Sequence, residues 1–224
     1  MPTISFSPHK DSLGIKHVEI KEDTEYVFID CETENLCLNR EQNLPWQIGM
    51  VKLKGDKKIA EKDIYVSWER DLRVGKEAAR ITRFSPKKYK ELAVPHDEIF
   101  PTVKDWLDNC DYIVGHNVLG FDIYLIKDYY QHMGEDYRHL LPKIIDTNCI
   151  ARGFKLGLPY RRDEQFLTYQ YKILHTRKKG IRSSLLSLGK EYDIKFDPNK
   201  LHDALNDLQL NIDVWNKIKW HIDI

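Results

Sequence analysis

Five residues, in three widely separated segments, have the types and spacing to build one metal site: Asp30 and Glu32, then Asp122, then His202 and Asp207. Asp30 and Glu32 end the apolar run Tyr26-Val27-Phe28-Ile29, and residues two apart on a strand share a face. Both carboxylates can then aim at one point while Cys31 faces away. Asp122 sits in GHNVLGFDIYLI, where it also suits the first turn of a helix. His202 and Asp207 sit in LHDALNDLQLNIDVW, with the histidine just ahead of the helix that carries the aspartate. Four carboxylates held together repel, so such a cluster is stable around cations. Hard oxygen donors suit magnesium or manganese. A histidine beside them, with an ordinary pKa near 6.5, is suited to act as a general base.

The elements that must position these residues can be read from periodicity. Strands are expected at Tyr26–Asp30, Gln47–Leu53 and Ile64–Trp68, forming an antiparallel run, and again at Tyr112–Gly115 and Lys143–Asp146. Ser85-Pro86 reads as a helix start. Helices are expected over His96–Asn109, from about Phe121 to Met133, over Ser183–Tyr192 and over Asp203–Trp220. Strands first, then strands alternating with helices, predict an α/β fold with a mixed sheet flanked by helices. No internal repeat or low-complexity linker interrupts the 224 residues. The chain therefore reads as one domain over 1–224, with an N-terminal arm at 1–24 and a basic, aromatic insertion at 152–182.

Lys plus Arg and Asp plus Glu both number 35, so net charge alone does not signal a nucleic-acid binder. The segment 152–182 is different. It carries Arg152, Lys155, Arg161, Arg162, Lys172, Arg177, Lys178, Lys179 and Arg182 against Asp163 and Glu164. Interleaved Phe154, Tyr160, Phe166, Tyr169 and Tyr171 could stack bases while the cations track phosphates. The alternative is a charged, solvated loop with its aromatics in the core. Cys31, Cys37, Cys110 and Cys149 form no CxxC pair and read as reduced thiols, which points to a cytoplasmic setting. The N-terminus lacks a signal-peptide core, and no apolar run reaches membrane-spanning length, so no membrane partner is expected.

Taken in order, FIDCETENL, HNVLGFDIYLI and SLLSLGKEYDI with HDALNDLQL resemble motifs I, II and III of the DEDDh branch of 3′–5′ exonucleases. These are the DnaQ-like enzymes, which include the proofreading epsilon subunit of bacterial DNA polymerase III and RNase T. The likeness runs over roughly residues 25–220. It implies an RNase H-like fold and two divalent cations, Mg²⁺ or Mn²⁺, held by Asp30, Glu32, Asp122 and Asp207. It also implies His202 as the base and release of 5′-mononucleotides. Asp203 stands where the tyrosine branch of the superfamily carries its tyrosine. By the same resemblance Thr33 and Leu36 are candidate contacts to the terminal nucleotide. Asn117, Arg177, Lys178 and Lys179 are candidate contacts read from the residues.

Two positions depart from the family pattern. Asn35 stands where a glycine is usual and is expected to take a left-handed turn. Glu34 adds a negative charge that would face solvent or change which ends are accepted. The expected substrate is single-stranded DNA, with an RNA 3′ exonuclease of the RNase T or oligoribonuclease type as the alternative. A non-catalytic nucleic-acid-binding module is a third reading, disfavoured by the complete carboxylate set. A polymerase or a replication or repair protein is a further expected partner. Oligomeric state is left open by these residues.

Overall fold

Nine consecutive residues, Glu25–Thr33, form β1, which is flanked on both sides and buried almost throughout. Its alternation separates two cores. Tyr26 and Phe28 pack into one, with Leu208, Ile212 and Trp215. Val27, Ile29 and Cys31 pack into the other, with Val103, Leu107, Leu125 and Ile126. Asp30 and Glu32 therefore share the face of Tyr26 and Phe28. The computed structural model describes residues 20–38, 43–198, 201 and 203–222. Most of the expected N-terminal arm, and His202, lie outside the described residues.

β1 pairs antiparallel with β2 (Pro45–Lys54), which pairs antiparallel with β3 (Lys57–Ser67). Two short helices follow, α1 (Lys76–Thr82) and α2 (Pro86–Leu92). Ser85 caps α2 by accepting a hydrogen bond from the Lys88 N–H, with Pro86 at the first helical position, where its missing N–H does no harm. The two-residue β4 (Val94–Pro95) pairs parallel with β3 and leads into α3 (His96–Asp108). β5 (Tyr112–Gly115) returns parallel to β1 and is followed by α4 (Asp122–His132). β6 (Ile144–Asp146) runs parallel to β5 and gives the sheet order β4-β3-β2-β1-β5-β6. α5 (Thr147–Lys155), α6 (Phe166–His175), α7 (Leu185–Glu191) and α8 (Ala204–Ile218) complete the chain, with α8 lying on β1 and β2.

This is the mixed, RNase H-like sheet expected from the sequence, with three differences. β1 runs on through Glu32, so both carboxylates lie on regular strand. The 152–182 segment is ordered, with α6 at its centre. Its rings are core: Tyr160, Phe166 and Tyr169 are buried, Tyr171 is half-buried, and the exposed Phe154 stacks on His221 at 3.9 Å. The expectation that these aromatics stack bases is therefore corrected. Much of the segment's charge is also used locally, since Lys155 pairs with Glu191 and Arg152 donates to the Thr176 carbonyl at 2.5 Å.

Gly49 lies opposite Asp30 on β2. A Cβ there would stand 2.8 Å from the Ala204 Cβ, so the missing side chain lets the first turn of α8 approach the sheet beside Asp30. All four cysteines are free thiols, three of them buried. Among the described residues no helix is long and apolar enough to cross a membrane.

Candidate active site

Asp30 and Glu32 project from β1 toward α8, whose first turn carries Asp207. One carboxylate oxygen from each of the three lies within 4.8 Å of the others. Asp122 stands at the first position of α4 and reaches the strand from the other side. Its Oδ1 accepts the backbone N–H of Cys31, the residue between Asp30 and Glu32, at 2.9 Å. The structure thus gathers three of the expected ligands around one point and ties the fourth to the strand that bears two of them.

The electrostatics are those of a site built for cations. Burial, followed by repulsion from Asp122, Glu32, Asp207 and Asp203, drives the Asp30 carboxyl well above the carboxylate range. Burial pushes Glu32 up to about 8, with Asp207, Asp122 and Asp203 adding to it. Asp122 rises to about 7 through burial, against the opposing Cys31 N–H. Asp30 and Asp207 remain half-buried, so the cluster keeps a face toward solvent. Hard oxygen donors that hold protons only for want of positive charge fit a divalent ion of the magnesium type.

The loop after β1 corrects two expectations. Glu34 neither faces solvent nor adds charge at the site: it is 1% exposed, and Arg70 grips it through both guanidinium nitrogens at 2.7 Å. The Leu44 N–H donates to it at 3.2 Å, and the Arg73 N–H donates as well. Burial alone would raise this carboxyl, but Arg70 and the two N–H groups hold it below its ordinary value. Asn35 is not in the left-handed region; its N–H donates to Asn43 Oδ1 at 3.0 Å. Thr33 is also turned inward, its hydroxyl donating to the Asn35 carbonyl at 2.6 Å, while Leu36, about half exposed, faces outward along with Cys37 and Leu38. Arg70→Met is expected to destabilise the fold by about 2–3 kcal/mol, below the figure for a fully buried pair because Arg70 is one-third exposed. A thermal melt checks this, and Glu34→Gln in the same chain should recover part of the loss by leaving no buried charge unpaired.

Asp146 was expected only as a strand end, yet it organises the site from behind. It is fully buried and caps α5, accepting from the Asn148 and Cys149 N–H groups at 3.0 and 3.2 Å. It also accepts from Asn117 and Leu119, each at 3.0 Å, in the loop that delivers Asp122. Burial pushes its carboxyl up to about 6, against these four donors. An aspartate followed by a helical pattern is the capping signal that could have found it. Asn117, at φ 67°, takes the left-handed turn in this loop. His116 is half-buried, with Nδ1 3.0 Å from the Thr147 hydroxyl, and the loss of solvent around its ring lowers it to about 4.

Two clefts open near this end of the sheet. One, of 290 Å³, is lined by Asn117, Gly120, Tyr124, Arg152, His175 and Arg177 among others. The second, of 240 Å³, includes Gln47, Tyr65, Arg83, Lys88, Asp203 and Asn206. Lys178 and Lys179 are exposed beyond Arg177. Asp203 caps α8 through the Asn206 N–H.

A sheet of this order, carrying carboxylates on its central strand and on the helix across it, defines an RNase H-like nuclease. The sequence profile of the exonuclease family named for RNase T matches residues 27–215, and the chain belongs to that family of DEDDh 3′–5′ exonucleases, which work with divalent metal ions. No curated protein matches. Among solved structures, E. coli exonuclease I in complex with a dA16 oligonucleotide aligns with a TM-score of 0.69 at 15% identity, covering 89% of this chain and 42% of that one. A crystal structure of SSB/exonuclease I with an inhibitor aligns with a TM-score of 0.65 at 14% identity, covering 90% and 43%. At these identities the likeness is one of fold, and this chain spans a little over two fifths of the length of those proteins.

Proposed function

We propose that this chain removes 5′-mononucleotides from the 3′ end of single-stranded DNA by two-metal-ion hydrolysis. The observation that carries the reading is the meeting of Asp30, Glu32 and Asp207 oxygens within 4.8 Å, with Asp122 fixed to the same strand. These four would hold two Mg²⁺ or Mn²⁺ ions, which would supply Lewis-acid stabilisation of the phosphodiester under attack. Asp122, buried and hydrogen-bonded to β1, presets the ligand geometry. Asp203 and the first turn of α8 place Asp207. His202, by its place in the motif, serves as the base that accepts the proton of the attacking water. Leu36 is positioned to meet the terminal base, and Arg177, with Asn117, offers a polar wall for the approaching strand.

Exonuclease I bound to dA16 supports DNA over RNA as the substrate, and a single-stranded-DNA-binding, polymerase or repair protein is the kind of partner proposed. The direct test is a time course on end-labelled, sequence-matched DNA and RNA strands in Mg²⁺ or Mn²⁺, with EDTA controls. Stepwise 3′ shortening of DNA ahead of RNA is expected. Faster loss of the RNA strand would reassign the substrate, and binding without cleavage of either would overturn the enzyme.

Arg177, Lys178 and Lys179 are proposed to steer the strand. Changing all three to alanine should raise KM and flatten the dependence of log KM on log salt by about 0.7 for each phosphate left unneutralised, with kcat little altered. Steady-state kinetics from low to moderate salt check this, and an unchanged slope would remove these residues from the path.

A further inference from the structure

Away from the carboxylate cluster, three side chains converge where the end of β3, the start of α3 and the end of α4 meet. Glu69 Oε1 lies 3.1 Å from His96 Nε2 and 2.9 Å from His132 Nε2, and the two Nε2 atoms are 3.2 Å apart. The triangle is nearly equilateral. A tetrahedral zinc ion with bonds of about 2.0–2.1 Å has donor–donor edges of about 3.3 Å, so a small displacement turns this triangle into one face of such a site. From these distances we propose that Glu69, His96 and His132 form a second metal site, selective for zinc-like ions over magnesium.

The donor chemistry carries the selectivity. Two imidazoles and one carboxylate suit zinc, cobalt or nickel, whereas magnesium takes oxygen ligands. The surroundings hold the donors in place. Trp68 stacks on the His96 ring at 5.1 Å with a 15° tilt and meets the His132 ring edge-on at 5.9 Å. The Tyr129 hydroxyl donates to the His96 carbonyl. His96 is largely buried, while Glu69 is exposed and His132 about one-third exposed, so an ion can enter without opening the fold. His132 lies at the opposite end of α4 from Asp122, about 15 Å along the helix, which makes the site separate from the catalytic cluster. A bound ion would join β3, α3 and α4 and so brace the helix that delivers Asp122.

The test titrates zinc, and cobalt as a coloured reporter, into the EDTA-stripped and desalted full chain. The Asp207→Asn variant is run in parallel so that metal at the carboxylates is weakened. One equivalent of zinc should bind to Asp207→Asn and raise its melting temperature, and cobalt should give the visible bands of a four-coordinate nitrogen–oxygen site. His132→Gln and Glu69→Gln, placed in that background, should each weaken zinc by roughly 10–100-fold. The same two changes in the otherwise unaltered chain should leave Mg²⁺-supported cleavage as it was. Zinc affinity unchanged in both variants, or no zinc bound by Asp207→Asn, would overturn the site. Because cleavage is read in magnesium, that failure is distinct from a failure of the nuclease assignment.

Discussion

Asp207→Asn is expected to lower kcat by at least about 10³-fold while leaving the metal-free protein as stable as its parent or more so. The first effect follows from removing one of three oxygen donors within 4.8 Å, since bound metal supplies several kcal/mol to the transition state. The second follows from electrostatics. Asp207 contributes repulsion that raises both Asp30 and Glu32, so neutralising it relieves strain in the absence of cations. A catalytic assay in Mg²⁺ paired with a melt in EDTA checks both. A clear fall in the EDTA melting temperature would mean that Asp207 holds the fold, not the ion.

The metal-free protein should also lose stability as pH rises, a direction set by the signs of the shifts. Glu32 moves from 4.5 to about 8 on folding, and Asp122 from 3.8 to about 7. Between those values the folded chain holds protons that the unfolded chain has released, so stability falls with pH. It is fully present below the unfolded values and is lost as pH rises through the folded values of about 7 and about 8. His116, lowered to about 4, acts in the opposite sense but only below about pH 6.5. The clean window is therefore pH 6.5 to 8.5, where a loss of about 2–3 kcal/mol, or roughly 5–10 °C, is expected in EDTA. Excess Mg²⁺ at pH 8.5 should reverse it by taking the place of the protons. A flat or rising melting temperature across the window would contradict the cluster's electrostatics, and Glu32→Gln should make the slope shallower.

The strand that carries the site was readable because its alternation is strict. Val27, Ile29 and Cys31 fill one core while Tyr26, Phe28, Asp30 and Glu32 share the other face. β5 has the bounds expected from Tyr112–Gly115, and α2 begins at the Ser85-Pro86 signal. α6 was hidden for a physical reason. Phe166, Tyr169 and Ile173 pack into one core while Leu167, Tyr171 and Leu174 touch the other, so apolar residues occupy two faces and leave only the narrow exposed stripe of Thr168, Lys172 and His175 to mark the helical period. Arg70 and Glu34 meet across 36 residues of chain, and nothing local announces that pairing. Glu34 therefore read as an intruder in motif I when it is the anchor of the loop. The convergence of Glu69, His96 and His132 likewise depends on tertiary packing rather than on any motif.

Asp146 gives the site a property that distances alone do not express. Its single carboxylate serves amides from two segments, Asn117 and Leu119 ahead of α4 and Asn148 and Cys149 at the start of α5. Neither segment can swing away without stranding a buried charge that the other still needs. The two therefore open as one cooperative unit or stay closed, and amide exchange at these four positions is governed by a common opening step. Asp122 rides on that unit. Its placement is thus expected to be switched as a whole rather than adjusted by degrees, and equal exchange protection at the four amides would check this.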